Sequence, residues 1–236
     1  MYISCFSKFL IALIATGTAF SGSVVASSSN EKDLGQLFRH YGSDKDINGY
    51  TSVYHALFNS LKNEPVKMLE IGIGTMIPGA HSSMVGYARP GYKPGGSLRA
   101  WRDYFVNGSI YGIDIQEDTQ FHDEARIETY LCYSNDKTEV EALMGHLGDM
   151  KFDIIIDDGS HFDMDQMKTL SHFYPYLKDG GIYIIEDIYP GSTLTTMPSV
   201  LSSFCHNDPY FFVGIHNNIC VIFKNHLKRD GAPYSY

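Results

Sequence analysis

From Leu34 onward the chain alternates between two hydrophobic rhythms. Apolar positions three and four apart mark LGQLFRHY (34–41) and SVYHALFNSLK (52–62) as helices. VKMLEIGIG (66–74) is dense in apolar residues over too short a span for a helix, and it predicts a buried strand entering a glycine turn. Helical spacing returns in SLRAWRDYF (97–105), followed by strands at SIYGIDI (109–115) and ARIETYLCY (125–133) and a helix near 136–147. FDIIIDD (152–158) reads as a fourth strand, with a helix over roughly 164–177. DGG (179–181) is expected to turn the chain into a fifth strand, IYIIEDI (182–188), with a short helix around 198–205. Two apolar runs, YFFVGI and ICVIFKN, joined by HNN, read as an antiparallel hairpin. Strands alternating with helices imply a doubly wound α/β domain, with a mainly parallel seven-stranded sheet covered on both faces and a C-terminal antiparallel hairpin. Ligands of such a sheet gather at the carboxyl ends of its strands.

The first 33 residues follow neither rhythm. Lys8, the apolar run FLIALIATGTAF (9–20) and small residues at Val24 and Ala26 resemble a signal peptide over 1–26. A marginal membrane anchor diluted by Ser, Thr and Gly is the second reading, and a disordered or mis-started leader the third. Residues 27–33 read as a linker, 34–228 as the folded domain with a lid-like insert at 76–96, and 229–236 as a flexible tail. The location implied is the secretory pathway or a membrane, with the cytoplasm as the alternative, and self-association is left open. A net charge of −9 without a basic stripe argues against nucleic-acid binding. Cys5, Cys132, Cys205 and Cys220 are scattered, without a CxxC pair, and suggest isolated thiols rather than a disulfide frame or zinc site.

Chemistry collects where the strands end. Glu70-Ile71-Gly72-Ile73-Gly74 closes the first strand, and glycines there let a nucleotide-like ligand approach the backbone; a tight strand-to-loop turn is the alternative. Asp114 ends the second strand, where an acid is suited to ribose hydroxyls. No helix opens directly after Gly74 to receive a pyrophosphate, which disfavours a dinucleotide and points to a nucleoside-type ligand, S-adenosylmethionine first. The fourth strand runs IIIDDGSHFD (154–163), an apolar run ending in two adjacent carboxylates. Such acids are costly to desolvate unless something binds them. The neighbouring strand ends in Glu186-Asp187. Asp158, Glu186 and Asp187 would form a hard oxygen cluster suited to Mg²⁺, and His161 lies close enough in sequence to deprotonate a metal-bound hydroxyl.

Together LEIGIG (69–74), GGSLRAWRDYF (95–105), IYGIDI (110–115), FDIIIDDGSH (152–161) and LKDGGIYIIEDI (177–188) resemble the metal-dependent sugar O-methyltransferases of macrolide and related glycoside biosynthesis, the group of the mycinamicin and macrocin enzymes. GSDKDINGYTSVYHALF (42–58) is similar to the region before that family's first strand. The resemblance implies a Rossmann-like methyltransferase fold. It implies S-adenosylmethionine lined by Glu70, Gly72 and Gly74, with Asp114 at its ribose and Asp136 surviving from the family's adenine-side run. It also implies Mg²⁺ on Asp158, Glu186 and Asp187, His161 as base, and a hydroxylated acceptor such as a sugar or glycoside. Asp157 is expected behind the metal ligands or on the cofactor side, and Asp44 and Lys45 near the site without an assigned role. CYSNDK (132–137) and Asn48-Gly49-Tyr50 depart from the family pattern. A catechol-type O-methyltransferase and a non-catalytic nucleoside-binding protein are the alternatives.

Overall fold

The structure is a computed structural model that describes residues 33–80, 83–189, 191–192, 201, 204–205, 212–216 and 218–224. The expected leader at 1–26, most of the helix expected around 198–205 and the tail at 229–236 lie outside the described residues. No helix among the described residues is long and apolar enough to cross a membrane.

Helix α1 (Leu34–Tyr41) starts where the residue types dictate. Asp33 accepts from the Gln36 backbone while the Gln36 side chain accepts from the Asp33 backbone, a reciprocal cap. After α2 (Thr51–Phe58), strand β1 (Lys67–Ile71) leads through the glycine turn and the insert to α3 (Gly96–Tyr104). Then follow β2 (Ser109–Asp114), β3 (Ile127–Leu131), α4 (Lys137–His146), β4 (Phe152–Asp157), α5 (Asp163–Phe173) and β5 (Leu177–Ile185). The hairpin β6 (Phe212–His216) and β7 (Ile219–Phe223) closes the sheet. The order is β3-β2-β1-β4-β5-β7-β6, with β1 to β5 parallel and β7 antiparallel to both neighbours. This is the seven-stranded sheet the pattern predicts.

β4 needs its run of isoleucines because it lies centrally between two apolar layers. Ile154 and Ile156 face Phe38, Tyr54, Phe58 and Trp101 on the α1–α3 side, while Ile155 faces Met144, Met167 and Phe173 on the other. Side chains alternate across a strand, so only a strand buried on both faces reads as a continuous apolar run.

One element departs from expectation. DGG (179–181) is no turn: β5 begins at Leu177 and passes through it, and the β4 pairing jumps from Phe152↔Leu177 to Ile154↔Ile182. Gly180 and Gly181 exchange backbone hydrogen bonds with Lys224 at 2.8 and 3.0 Å, so the glycines form a bulge that still pairs. The insert is anchored in its second half. Tyr92 donates to the Gly74 carbonyl at 2.8 Å, and Arg89 bridges to Asp46 at 3.1 Å. Tyr87 stands 72% exposed at the open end.

Candidate active site

The carboxyl ends of β1, β4 and β5 meet because backbone hydrogen bonds tie their exits together. Asp158 N donates to the Ile71 carbonyl at 2.8 Å, and Glu186 N to the Asp157 carbonyl at 2.9 Å. Gln166, from α5, donates its Nε2 to the Glu186 carbonyl at 2.9 Å. A cavity of about 640 Å³ opens over these exits, lined by Asp44, Asn48, Gly72, Gly74, Met84, Tyr87, Asp158, His161, Glu186, Asp187 and Tyr189. That volume is within the range that holds a small molecule.

At its floor His161 Nε2 lies 3.1 Å from Asp158 Oδ1 and 3.6 Å from Asp187 Oδ2. One ligand atom from each of these three residues falls within 4.8 Å of the others, close enough for a single metal ion. Two of the three stand on left-handed backbone, His161 at φ 60° and Asp187 at φ 53°. Such conformations are uncommon outside glycine and collect at functional sites. Burial disfavours the charged imidazole, but the hydrogen bond and charge of Asp158, with Asp187 behind it, more than offset that and lift the His161 pKa to about 9.

A second centre lies behind the first. Lys45 is buried, and its Nζ lies 2.7 Å from Asp158 Oδ2, 2.8 and 2.7 Å from the two Glu186 oxygens and 3.2 Å from Glu70 Oε1. Burial opposes its charge, yet Asp158, Glu186 and Glu70 hold it well above the ordinary lysine value. Asp158 is likewise opposed by burial but held below the usual carboxylate range by Lys45 and His161. The Tyr54 hydroxyl donates to Glu186 and the Tyr50 hydroxyl to Asp187. Burial first, and then these carboxylates, push both phenols up, so they remain donors.

The residues expected at the site therefore divide. Asp158, His161 and Asp187 come together as one cluster, whereas Glu186 turns both oxygens toward Lys45 and Tyr54. Glu70 is fully buried between Trp101 Nε1, at 3.1 Å, and Lys45. Gly72 is glycine for a reason within the chain: a Cβ there would meet the Asp158 carbonyl oxygen at 2.1 Å. At Gly74 a Cβ would meet the Tyr92 hydroxyl at 2.2 Å. Asp114 spends Oδ2 on Ile73 N at 2.9 Å and Oδ1 on Gln116 N at 3.0 Å, so it holds the glycine turn against the end of β2. Asp136 is the N-cap of α4, its Oδ1 accepting from Thr138 N and Glu139 N. Asp157 is buried, accepts from Gly159 N at 3.2 Å, and has its carboxyl raised by desolvation to about 7.

Sequence reasoning left Lys45, Tyr50 and Tyr54 without roles, and overlooked Asp118. Asp118 accepts from Thr75 Oγ1 at 2.5 Å and Met76 N at 2.8 Å, fixing the start of the insert. No periodicity singles these residues out. The available signal was a lysine between two acids in Asp44-Lys45-Asp46, ahead of a helix with two inward tyrosines.

No family model matches the chain. It is 37% identical over 183 residues to the demethylmacrocin O-methyltransferase of Streptomyces fradiae, covering 77% of this chain and 42% of that protein. It is 32% identical over 253 residues to the mycinamicin VI 2''-O-methyltransferase of Micromonospora griseorubida, covering 94% and 60%. Among solved structures it is similar to the mycinamycin-pathway methyltransferase MycE in complex with Mg, SAH and mycinamycin VI, at 26% identity and TM-score 0.67, over 88% of this chain and 58% of that one. The chain thus spans about half the length of the curated relatives it matches. In sequence the chain is similar to the macrolide-type sugar O-methyltransferases, and in fold to the mycinamycin-pathway methyltransferase.

Proposed function

We propose that the protein is an S-adenosylmethionine-dependent, Mg²⁺-assisted O-methyltransferase acting on a hydroxyl of a sugar or glycoside. One observation carries this reading: Asp158, Asp187 and His161 converge within 4.8 Å at the floor of the cavity, beside the Gly72 turn. The two acids form a hard oxygen donor pair, and the imidazole stands beside them as the base. Overall, the sulfonium–methyl bond breaks, an oxygen–methyl bond forms, and the hydroxyl proton leaves to His161.

A divalent cation held by Asp158 and Asp187 would acidify the acceptor hydroxyl and offset the carboxylate charge that raises the His161 pKa. The protein's own part is placement. Asp158 orients the His161 ring through Nε2, and Asp187 is held by Tyr50. Asp114 fixes the glycine turn, on the side of the cavity where the cofactor is expected. Positioning of this kind accounts for much of the acceleration in transfers between two bound reactants. The folded domain is assigned to 34–228, a boundary supported by the Asp33 cap, with residues 1–26 as leader or anchor.

The test is a screen of the purified chain with S-adenosylmethionine and Mg²⁺ against glycosides and catechols, reading S-adenosylhomocysteine. His161→Ala should lower turnover by roughly 10²–10⁴-fold with cofactor binding retained. Turnover of catechols alone would move the assignment to the catechol type. Cofactor binding without turnover on either class would favour a non-catalytic binder.

A further inference from the structure

We propose that Lys45 is a built-in cation that fills the position of a second metal ion and thereby fixes the site at one divalent cation. This positioning role rests on the reading that Asp158 and Asp187, beside His161, take a metal.

Four carboxylate oxygens from three residues lie within 3.2 Å of the Lys45 nitrogen. An ammonium has three N–H donors, so it cannot direct one to each of four oxygens. The arrangement is an oxygen cage around a point charge, the environment that hard divalent cations favour. The cage is buried on all sides but that of Asp158: the side chains of Lys45, Glu70 and Glu186 are 3%, 0% and 1% exposed and that of Asp158 24%.

Asp158 shows how this cage relates to the metal cluster. Its Oδ2 points to Lys45 and its Oδ1 to His161, so one carboxylate spans two adjacent cation positions. Bridging of this kind joins the ions of two-metal sites, which lie about 3.5–4 Å apart. Here the rear position is occupied by a side chain that cannot dissociate. That leaves Oδ1 of Asp158 on the cavity side, next to His161, and it offsets the charge of three clustered acids that would otherwise attract a second ion. Lys45 acts through the carboxylates and lies behind them, away from the reacting hydroxyl.

The prediction concerns stoichiometry. With Mn²⁺ as probe, the wild-type 236-residue chain should saturate at one ion per chain and give the electron paramagnetic resonance signal of an isolated ion. Lys45→Ala removes both charge and volume and should take up two ions, broadened by mutual dipolar coupling. Lys45→Met removes the charge but fills the space, and should stay at one. Two ions on the wild-type chain, or one ion on a folded Lys45→Ala variant, would overturn the proposal. No ion on the wild-type chain would instead overturn the metal-site reading beneath it. If Lys45→Ala does not fold, the double variant Lys45→Ala/Glu70→Gln, with one buried acid fewer, replaces it. Failure of both to fold in excess Mn²⁺ would show that a divalent ion cannot replace the ammonium, and would also refute the idea.

Discussion

Gly72→Ala separates the two reasons a strand-end glycine can exist. Gly72 has φ 81°, and Gly91, in the insert, has φ 87°. Alanine in that left-handed region costs about 1–2 kcal/mol at either position. A Cβ on Gly91 meets nothing within 4 Å, so strain is the whole effect there. A Cβ on Gly72 meets the Asp158 carbonyl oxygen at 2.1 Å, the Asp158 carbonyl carbon at 2.7 Å and the Gly159 Cα at 2.9 Å, all backbone atoms that cannot rotate aside. Overpacking against rigid neighbours adds about 1–3 kcal/mol. Gly72→Ala should therefore lose about 2–5 kcal/mol in urea denaturation and Gly91→Ala only about 1–2. At this chain length each kcal/mol corresponds to roughly 2–4 °C of melting temperature. The atom displaced belongs to Asp158, so Gly72→Ala should also weaken Mn²⁺ binding while Gly91→Ala leaves it intact. Equal losses of stability in the two variants would refute the claim that Gly72 is required by backbone approach.

Other outcomes can be checked as directly. His161 has its pKa raised to about 9, so the stability it contributes is complete below the ordinary histidine value and is lost as pH rises through about 9. In chelator, the melting gap between wild type and His161→Gln should thus close above about pH 9, from at most roughly 3 kcal/mol; a gap unchanged from about pH 6 to 10 would contradict the assignment. Arg89→Ala cuts the bridge from the insert to Asp46, a partly exposed pair whose loss should cost under about 1 kcal/mol globally. Locally it should speed proteolytic cleavage between residues 76 and 92, and an unchanged cleavage rate would show that the backbone bond from Arg89 N to the Gly42 carbonyl, at 3.4 Å, and Tyr92 suffice.

The sheet was legible because its strands lie between two apolar layers, which leaves both a continuous run such as Ile154–Ile156 and acids at the exits. The bulge at Gly180–Gly181 was not, since a glycine pair looks the same in a turn and in a strand that bends but still pairs. Asp158, His161 and Asp187 could be grouped from the sequence because parallel neighbours bring consecutive strand ends to one edge. The contacts of Glu186 and Glu70 with Lys45 were not legible, because Lys45 precedes β1 and no local pattern announces it. Asp114 and Asp136 illustrate another limit. A carboxylate that bonds backbone amides to hold a turn or cap a helix is indistinguishable in sequence from one that binds a ligand.

The Lys45 contacts also bear on the order in which the molecule can assemble. Lys45 meets Asp158 across 113 positions of chain and Glu186 across 141. Closing loops of that length depends on the central strands already being in register, and contacts so distant form late. The lysine emerges from the ribosome long before the acids that neutralise it, and cannot be buried at low cost until β5 has joined the sheet. The cavity and the completed topology are therefore one event: a chain whose β5 has not joined the sheet has no floor to its cavity.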